Sequence, residues 1–226
     1  LTADTVVAAI HPRVIAGLLA QNDLRQTERE RIMSLRDTES VIVVHAAVGA
    51  GPHPALEHNI YRLHQDRHGL ITDGIFYQIR PGDKDANLFS AITRSEYSQW
   101  DGWEETTSGR RGVAYEEKKR LVAREITERA ADVFGPLKNL RVLDVFTPLT
   151  VRDYVNCPWG SCYGVMRSAD QLLKIVSVGR LSVKGLFSAG QNKVAPGLLG
   201  CMLGSFQVAA DIAGVPRFTE LFRQAL

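Results

Sequence analysis

The stretch that most limits how this chain can fold runs from Gly185 to Gly200. Gly185-Leu186-Phe187-Ser188-Ala189-Gly190-Gln191-Asn192 is a short apolar run closing on a polar turn, and Pro196-Gly197-Leu198-Leu199-Gly200 follows after a brief loop. A strand end therefore stands beside a helix N-terminus. There the first amides lack intrahelical partners and the helix dipole is positive, which favours an electron-rich group. Gly197, Gly200 and Gly204 strip one helix face of side chains, so a flat ligand or another backbone can come close. No residue between Gly197 and Ala210 is charged, which predicts a helix buried on all sides. Gly214 and Pro216 supply its stop. By physics alone the segment reads equally as an ordinary buried strand-turn-helix.

The rest of the chain has an α+β texture. Thr5 to Ile10 is an apolar strand-like run, and Pro12 opens a short helix carrying Val14, Ile15, Leu18 and Leu19. Residues 22–39 are polar and charged, predicting a surface helix or connector. Val41 to Val48 is a β-branched run that predicts a strand buried on both faces. Further strands are expected at Asn59–His64, Gly74–Ile79 and Asn87–Thr93, with Gly82-Asp83 turning between the last two. Residues 94–112 read as a loop or edge strand whose aromatics lie over the core. Tyr115 to Phe134 is amphipathic, with Leu121, Val122, Ile126, Ala130, Val133 and Phe134 as its apolar face. Gly135-Pro136 ends that helix, and Leu140 to Phe146 returns as a strand. No repeat or low-complexity segment is present.

Composition removes several classes. A net charge of +2 with 23% charged residues fits neither a polybasic nucleic-acid binder nor a disordered chain. No apolar run approaches the ~20 residues that span a bilayer, and no signal-peptide pattern opens the chain. Cys157, Cys162 and Cys201 are odd in number and poorly spaced for a disulfide framework, and predict reduced, buried thiols and a cytoplasmic setting. His45, His53, His58, His64 and His68 crowd one region, but on strands and loops their spacing does not converge. No metal site is expected there. No Gly-x-Ser-x-Gly occurs, and no side chain qualifies as a catalytic acid, base or nucleophile.

Four segments carry a resemblance. Gly-Leu-Phe-x-Ala-Gly-Gln with the Gly-Leu-Leu-Gly helix, Ala3-Asp4-Thr5-Val6-Val7-Ala8-Ala9-Ile10-His11-Pro12, Thr147-Pro148-Leu149-Thr150 with Tyr154, and Pro158-Trp159-Gly160-Ser161-Cys162-Tyr163-Gly164 with Gln171 stand in one order. Together they resemble the C-terminal part of the phytoene desaturase, carotenoid isomerase and retinol saturase group of FAD-dependent oxidoreductases. Residues 24–140 match that group only in coarse element order.

The resemblance implies a mixed-sheet α+β substrate domain over residues 24–165, and an α/β remnant of the FAD-binding domain in 1–23 and 166–226. It implies flavin contacts from Gly190, Gln191, Asn192, Gly197, Leu198, Leu199 and Gly200, with the Leu198 and Leu199 amides facing the flavin pyrimidine edge. Trp159 and Tyr163 are expected to line an apolar polyene or isoprenoid substrate, with hydride moving between it and the flavin. Such enzymes open with Gly-x-Gly-x-x-Gly for the FAD pyrophosphate, which is missing here; Gly49-Ala50-Gly51 runs into Pro52 and Pro54. The chain, which begins at Leu1, is therefore expected to be a C-terminal fragment or half of a split enzyme, whose partner is the absent FAD-binding half. Bare apolar surface gives two further expectations, self-association and peripheral contact with a membrane. A different class stays open: a non-catalytic lipid- or protein-binding module of the same fold.

Overall fold

The computed structural model describes residues 2–178 and 181–224. In chain order the elements are β1 (Val6–Ala8), α1 (Pro12–Leu18), α2 (Gln26–Met33), β2 (Ser40–Gly49), β3 (Ile60–Gln65), β4 (Ile71–Arg80) and β5 (Ala86–Ser95). Then come α3 (Val113–Phe134), β6 (Arg141–Phe146), α4 (Pro148–Val155), α5 (Leu172–Val178), β7 (Leu186–Ser188), α6 (Gly197–Ala213) and α7 (Val215–Gln224). The class is α+β. The chain divides into two compact units, one of residues 1–38 with 156–226 and one of residues 39–155.

The central unit is a five-stranded sheet in the order β3-β4-β5-β2-β6, antiparallel at every pairing. Strand alternation decides which face is covered. Ile42, Val44, Ala46 and Val48 of β2 sit beside Ile75, Tyr77 and Ile79 of β4 and Phe89 and Ala91 of β5 in one buried cluster, which α3 closes with Tyr115, Ala123, Ile126 and Ala130. Val41, Val43, His45 and Ala47 point to the other face and are half-buried. The expectation that β2 is buried on both faces is thus corrected: within an antiparallel sheet one helix layer covers one side.

Two aromatic and helical expectations also change. Trp100 is fully buried in the central cluster, where its Nε1 donates to Ser95 Oγ at 3.0 Å, rather than lying over it. The buried arc of α3 includes Ala123 and Thr127, while Leu121 is exposed. The core selects the small residues because they let the helix lie close to the sheet.

In the other unit β1 and β7 form a two-stranded parallel sheet, with Val6 opposite Leu186 and Ala8 opposite Ser188. Its packed interior joins Ala16 of α1 to Leu24, Ile32, Leu35, Val165 and Ile175. Segment 22–39 is therefore not a mere surface connector; three of its few apolar residues anchor this interior. That burial draws the unit boundaries to 38/39 and 155/156, against 24 and 165 expected from the sequence.

Candidate functional site

Three of the four motif segments lie in the unit of residues 1–38 and 156–226, while Thr147–Thr150 with Tyr154 falls in the central unit. Gly164 occupies the left-handed region at φ +67, and a Cβ there would overlap the Asn192 side-chain amide, lying 2.9 Å from its Cγ. Glycine at 164 is thus what lets Asn192 Oδ1 accept from Val165 N at 2.9 Å. Thr38 holds the same turn from the other side. Its backbone N–H and its Oγ1 donate to Gly164 O at 2.8 and 3.1 Å, and Oγ1 accepts from Tyr163 N at 3.1 Å. Gln171 clamps the next backbone over, donating from Nε2 to Arg36 O at 2.9 Å and accepting from Arg36 N at 3.0 Å. Within this set the Val165–Asn192 bond is buried and the others are part-buried or exposed, and together they tie the turn to the 36–38 segment from two sides.

From that clamp the chain runs through the Gly190–Asn192 turn to α6. Pro196 precedes the helix, no side chain caps it, and its first turn holds no acidic residue. The first-turn amides, those of Leu198 and Leu199 among them, have no side-chain acceptor among the described residues and stand at the positive end of a 17-residue helix. Leu198 and Leu199 are 82% and 70% exposed. The expected burial of α6 on all sides is corrected: Leu198, Leu199, Met202, Leu203, Phe206 and Ile212 are exposed, and the buried positions are Gly200, Gly204 and Val208.

The glycine face also has a different occupant from the one expected. A Cβ on Gly200 would meet the Ala195 backbone and lie 2.7 Å from Ala195 Cβ, and one on Gly204 would meet Lys193 Cβ at 3.2 Å. The close approach at Gly200 is made by the chain's own 190–195 loop, not by a flat ring. Gly197, with φ +81, has nothing within 4 Å of its Cβ position. Asn192, expected at the cofactor, commits its amide oxygen to Val165, and Gln191 offers its backbone carbonyl to Arg167 Nη2 at 3.2 Å.

Trp159 and Tyr163 are 48% and 53% exposed on the Pro158–Gly164 turn. Trp159 has φ 52 and ψ 23, the left-handed conformation, and the guanidinium of Arg13 lies over its ring, 4.2 Å from the centroid. Beneath it is a polar cluster that sequence reading did not find. Arg13 Nη1 donates to Asp37 Oδ2 at 2.7 Å, His11 Nε2 lies 3.1 Å from Asp37 Oδ1, and Arg13 Nη2 also reaches the Leu35 carbonyl. The one signal in the sequence was the polar His11 and Arg13 flanking Pro12 at the mouth of an apolar helix.

The remaining candidates are structural. Cys157 Sγ lies 3.0 Å from Ser161 Oγ, and burial pushes the thiols of both Cys157 and Cys162 upward, so neither is a ready thiolate. The histidines are dispersed. His53 Nε2 accepts from Lys138 N at 2.8 Å, and His45 Nδ1 lies 2.9 Å from Ser90 Oγ with its pKa lowered by burial and by Arg80. Among the described residues no group of three His, Cys, Asp or Glu could hold a metal ion. Thr147 serves the central unit's packing: its Oγ1 pairs with Tyr115 Oη at 2.7 Å and its N–H donates to Thr150 Oγ1 at 3.1 Å. An apolar cleft of about 530 Å³ lies along β1, α1 and Val183–Leu186, and none of the expected site residues lines it. Among the described residues no helix is long and apolar enough to cross a membrane.

No family model matches the chain, and no curated protein matches it. Among solved structures it is similar to a putrescine oxidase, a triple mutant from a structure-based redesign of cofactor binding, with a TM-score of 0.56 at 17% identity. The likeness covers 93% of this chain and 42% of that one, so the chain spans less than half of the oxidase's length. At that identity the likeness is one of fold: these residues are arranged as part of an oxidoreductase is arranged.

Proposed function

We propose that this chain is the C-terminal part of an FAD-dependent oxidoreductase acting on CH–CH bonds of an apolar, isoprenoid or polyene-like substrate. The observation that carries the reading is the uncapped, acid-free N-terminus of α6, delivered by a turn that Asn192, Gly164 and Thr38 lock in place. The fold likeness to an oxidase whose cofactor binding has been redesigned supports the same reading.

The residues present fit one end of a flavin. The amides of Leu198 and Leu199 would face its pyrimidine edge, where fixed donors stabilise developing negative charge. Gly190 and Gly197, both in positive-φ conformations, keep the backbone bare of side chains on the way. A bound flavin supplies the acceptor or donor of a hydride. The chain's own part is to orient, through those amides, and to exclude water, through Leu198, Leu199, Trp159 and Tyr163. No side chain is assigned as acid or base. The chain holds no Gly-x-Gly-x-x-Gly turn for the pyrophosphate, so that end falls to another stretch of polypeptide.

The test is expression of the chain alone and together with the product of the reading frame upstream of Leu1. The chain alone should be colourless, and the pair should copurify with FAD and absorb near ~450 nm. A colourless pair, or an upstream frame without a dinucleotide-binding turn, sinks the reading in favour of a binding module without redox chemistry.

A further inference from the structure

Trp159 departs from ordinary protein geometry in its backbone. An L-residue with a bulky side chain seldom holds φ 52, and such strain persists only where the surroundings impose it. One face of the indole lies under the Arg13 guanidinium at 4.2 Å, and nearly half of the side chain remains exposed, so its outer face is open. Arg13 itself has little freedom. Its side chain is 9% exposed, that of Asp37 5% and that of His11 1%, and Asp37 divides its two oxygens between them. Arg13 Nε is buried with no hydrogen-bond partner among the described residues.

Resting on the reading that Trp159 borders the substrate, we infer that Arg13 is a positioning and specificity residue. Fixed by Asp37 and His11, it holds Trp159 as a platform that takes a flat neutral group and refuses ammonium. Two physical facts give the preference. The attraction of the indole for a cation is already used on its inner face, and a second cation on the outer face would stand across the ring from the first. The only carboxylate of the cluster, Asp37, is buried under two partners and cannot reach an ammonium ligand. A neutral conjugated group needs only apolar contact and stacking, which the open face offers. The ligand chemistry at this ring thus differs from that of a diamine, the substrate that the oxidase's name implies.

The experiment uses the whole chain with its three tryptophans labelled with ¹⁵N at the indole, the Trp159 signal being assigned through Trp159→Phe. β-Ionone serves as the neutral conjugated probe and 1,4-diaminobutane as the cationic one. The expected result is that β-ionone moves the Trp159 resonance and spares that of buried Trp100, while the diamine at equal concentration moves neither. Arg13→Met with Asp37→Asn removes the charge pair without stranding a carboxylate. It should weaken β-ionone binding about fivefold and let the diamine in, a reversal of selectivity that a merely structural role would not produce. If that variant loses the Trp100 signal through misfolding, Arg13→Lys replaces it; it keeps the charge but not the planar stack, so β-ionone binding should weaken to the same extent while the diamine stays excluded. In the unsubstituted chain, a diamine shift equal to or larger than that of β-ionone, or no shift with either probe, overturns the inference, as does unchanged selectivity in the double variant or unchanged β-ionone binding in Arg13→Lys. No flavin takes part, so this outcome and the flavin test fail or stand separately.

Discussion

Gly164→Ala should destabilise the unit of residues 1–38 and 156–226 by about 3 kcal/mol, and the figure follows from two separable terms. Holding an alanine at φ +67 costs roughly 1–2 kcal/mol, because Cβ crowds the neighbouring carbonyl. The new methyl also takes the space of the Asn192 amide, so the bond from Val165 N at 2.9 Å must break or bend. A buried N–H left without its acceptor costs about 1–3 kcal/mol. For a chain of this size that sum corresponds to a fall in Tm of roughly 6–12 °C, read by scanning calorimetry. The second term is isolated by a double-mutant cycle. Asn192→Ala removes the obstacle together with the bond, so Gly164→Ala in that background should cost only the backbone strain of roughly 1–2 kcal/mol. A loss below about 1 kcal/mol for Gly164→Ala alone, or strict additivity of the two substitutions, would refute the claim that this glycine exists to admit Asn192.

Gly200→Ala should lower stability more than Gly204→Ala, since its Cβ would overlap the Ala195 backbone while the other meets the Lys193 stem at 3.2 Å and Gly190 O at an ordinary 3.5 Å; equal Tm losses would contradict this. Leu198→Pro deletes one first-turn amide where proline is tolerated, so Tm should stay within roughly 2–4 °C while FAD content of the reconstituted pair falls. Full flavin retention would show that the amide is not used. His45 has a folded pKa below the ordinary histidine value of about 6.5, so its contribution to stability is intact above that pH and is lost as pH falls through it toward the folded pKa. Stability measured from pH 8 to pH 5 should decline less in His45→Gln, and an NMR midpoint for His45 above 6.5 would reverse the sign.

What the sequence settled by itself was whatever local pattern controls. The existence of β2, the length of α3, Pro12 as the opening of α1 and Gly214 as the stop of α6 are all near-neighbour properties, set by side-chain type and by φ preference, whereas the one-sided burial of β2 was not read from its apolar run. The order of Gly190, Asn192, Gly197 and Gly200 likewise placed a turn before a helix N-terminus, because it needs only chain direction and glycine geometry. Tertiary structure decided what each of these faces. The glycine stripe of α6 meets its own 190–195 loop, and α2 is anchored inward by residues that no period marks. The pairing of Asp37 with His11 and Arg13 spans 26 and 24 residues, and the clamp of Gln171 on Arg36 spans 135. Such pairings arise because buried polar groups must find partners wherever the packed chain brings them, and sequence spacing carries no record of that search. Trp159 shows the division most plainly. Its residue type announced an apolar contact, but only the packed chain put a buried cation against one face of its ring.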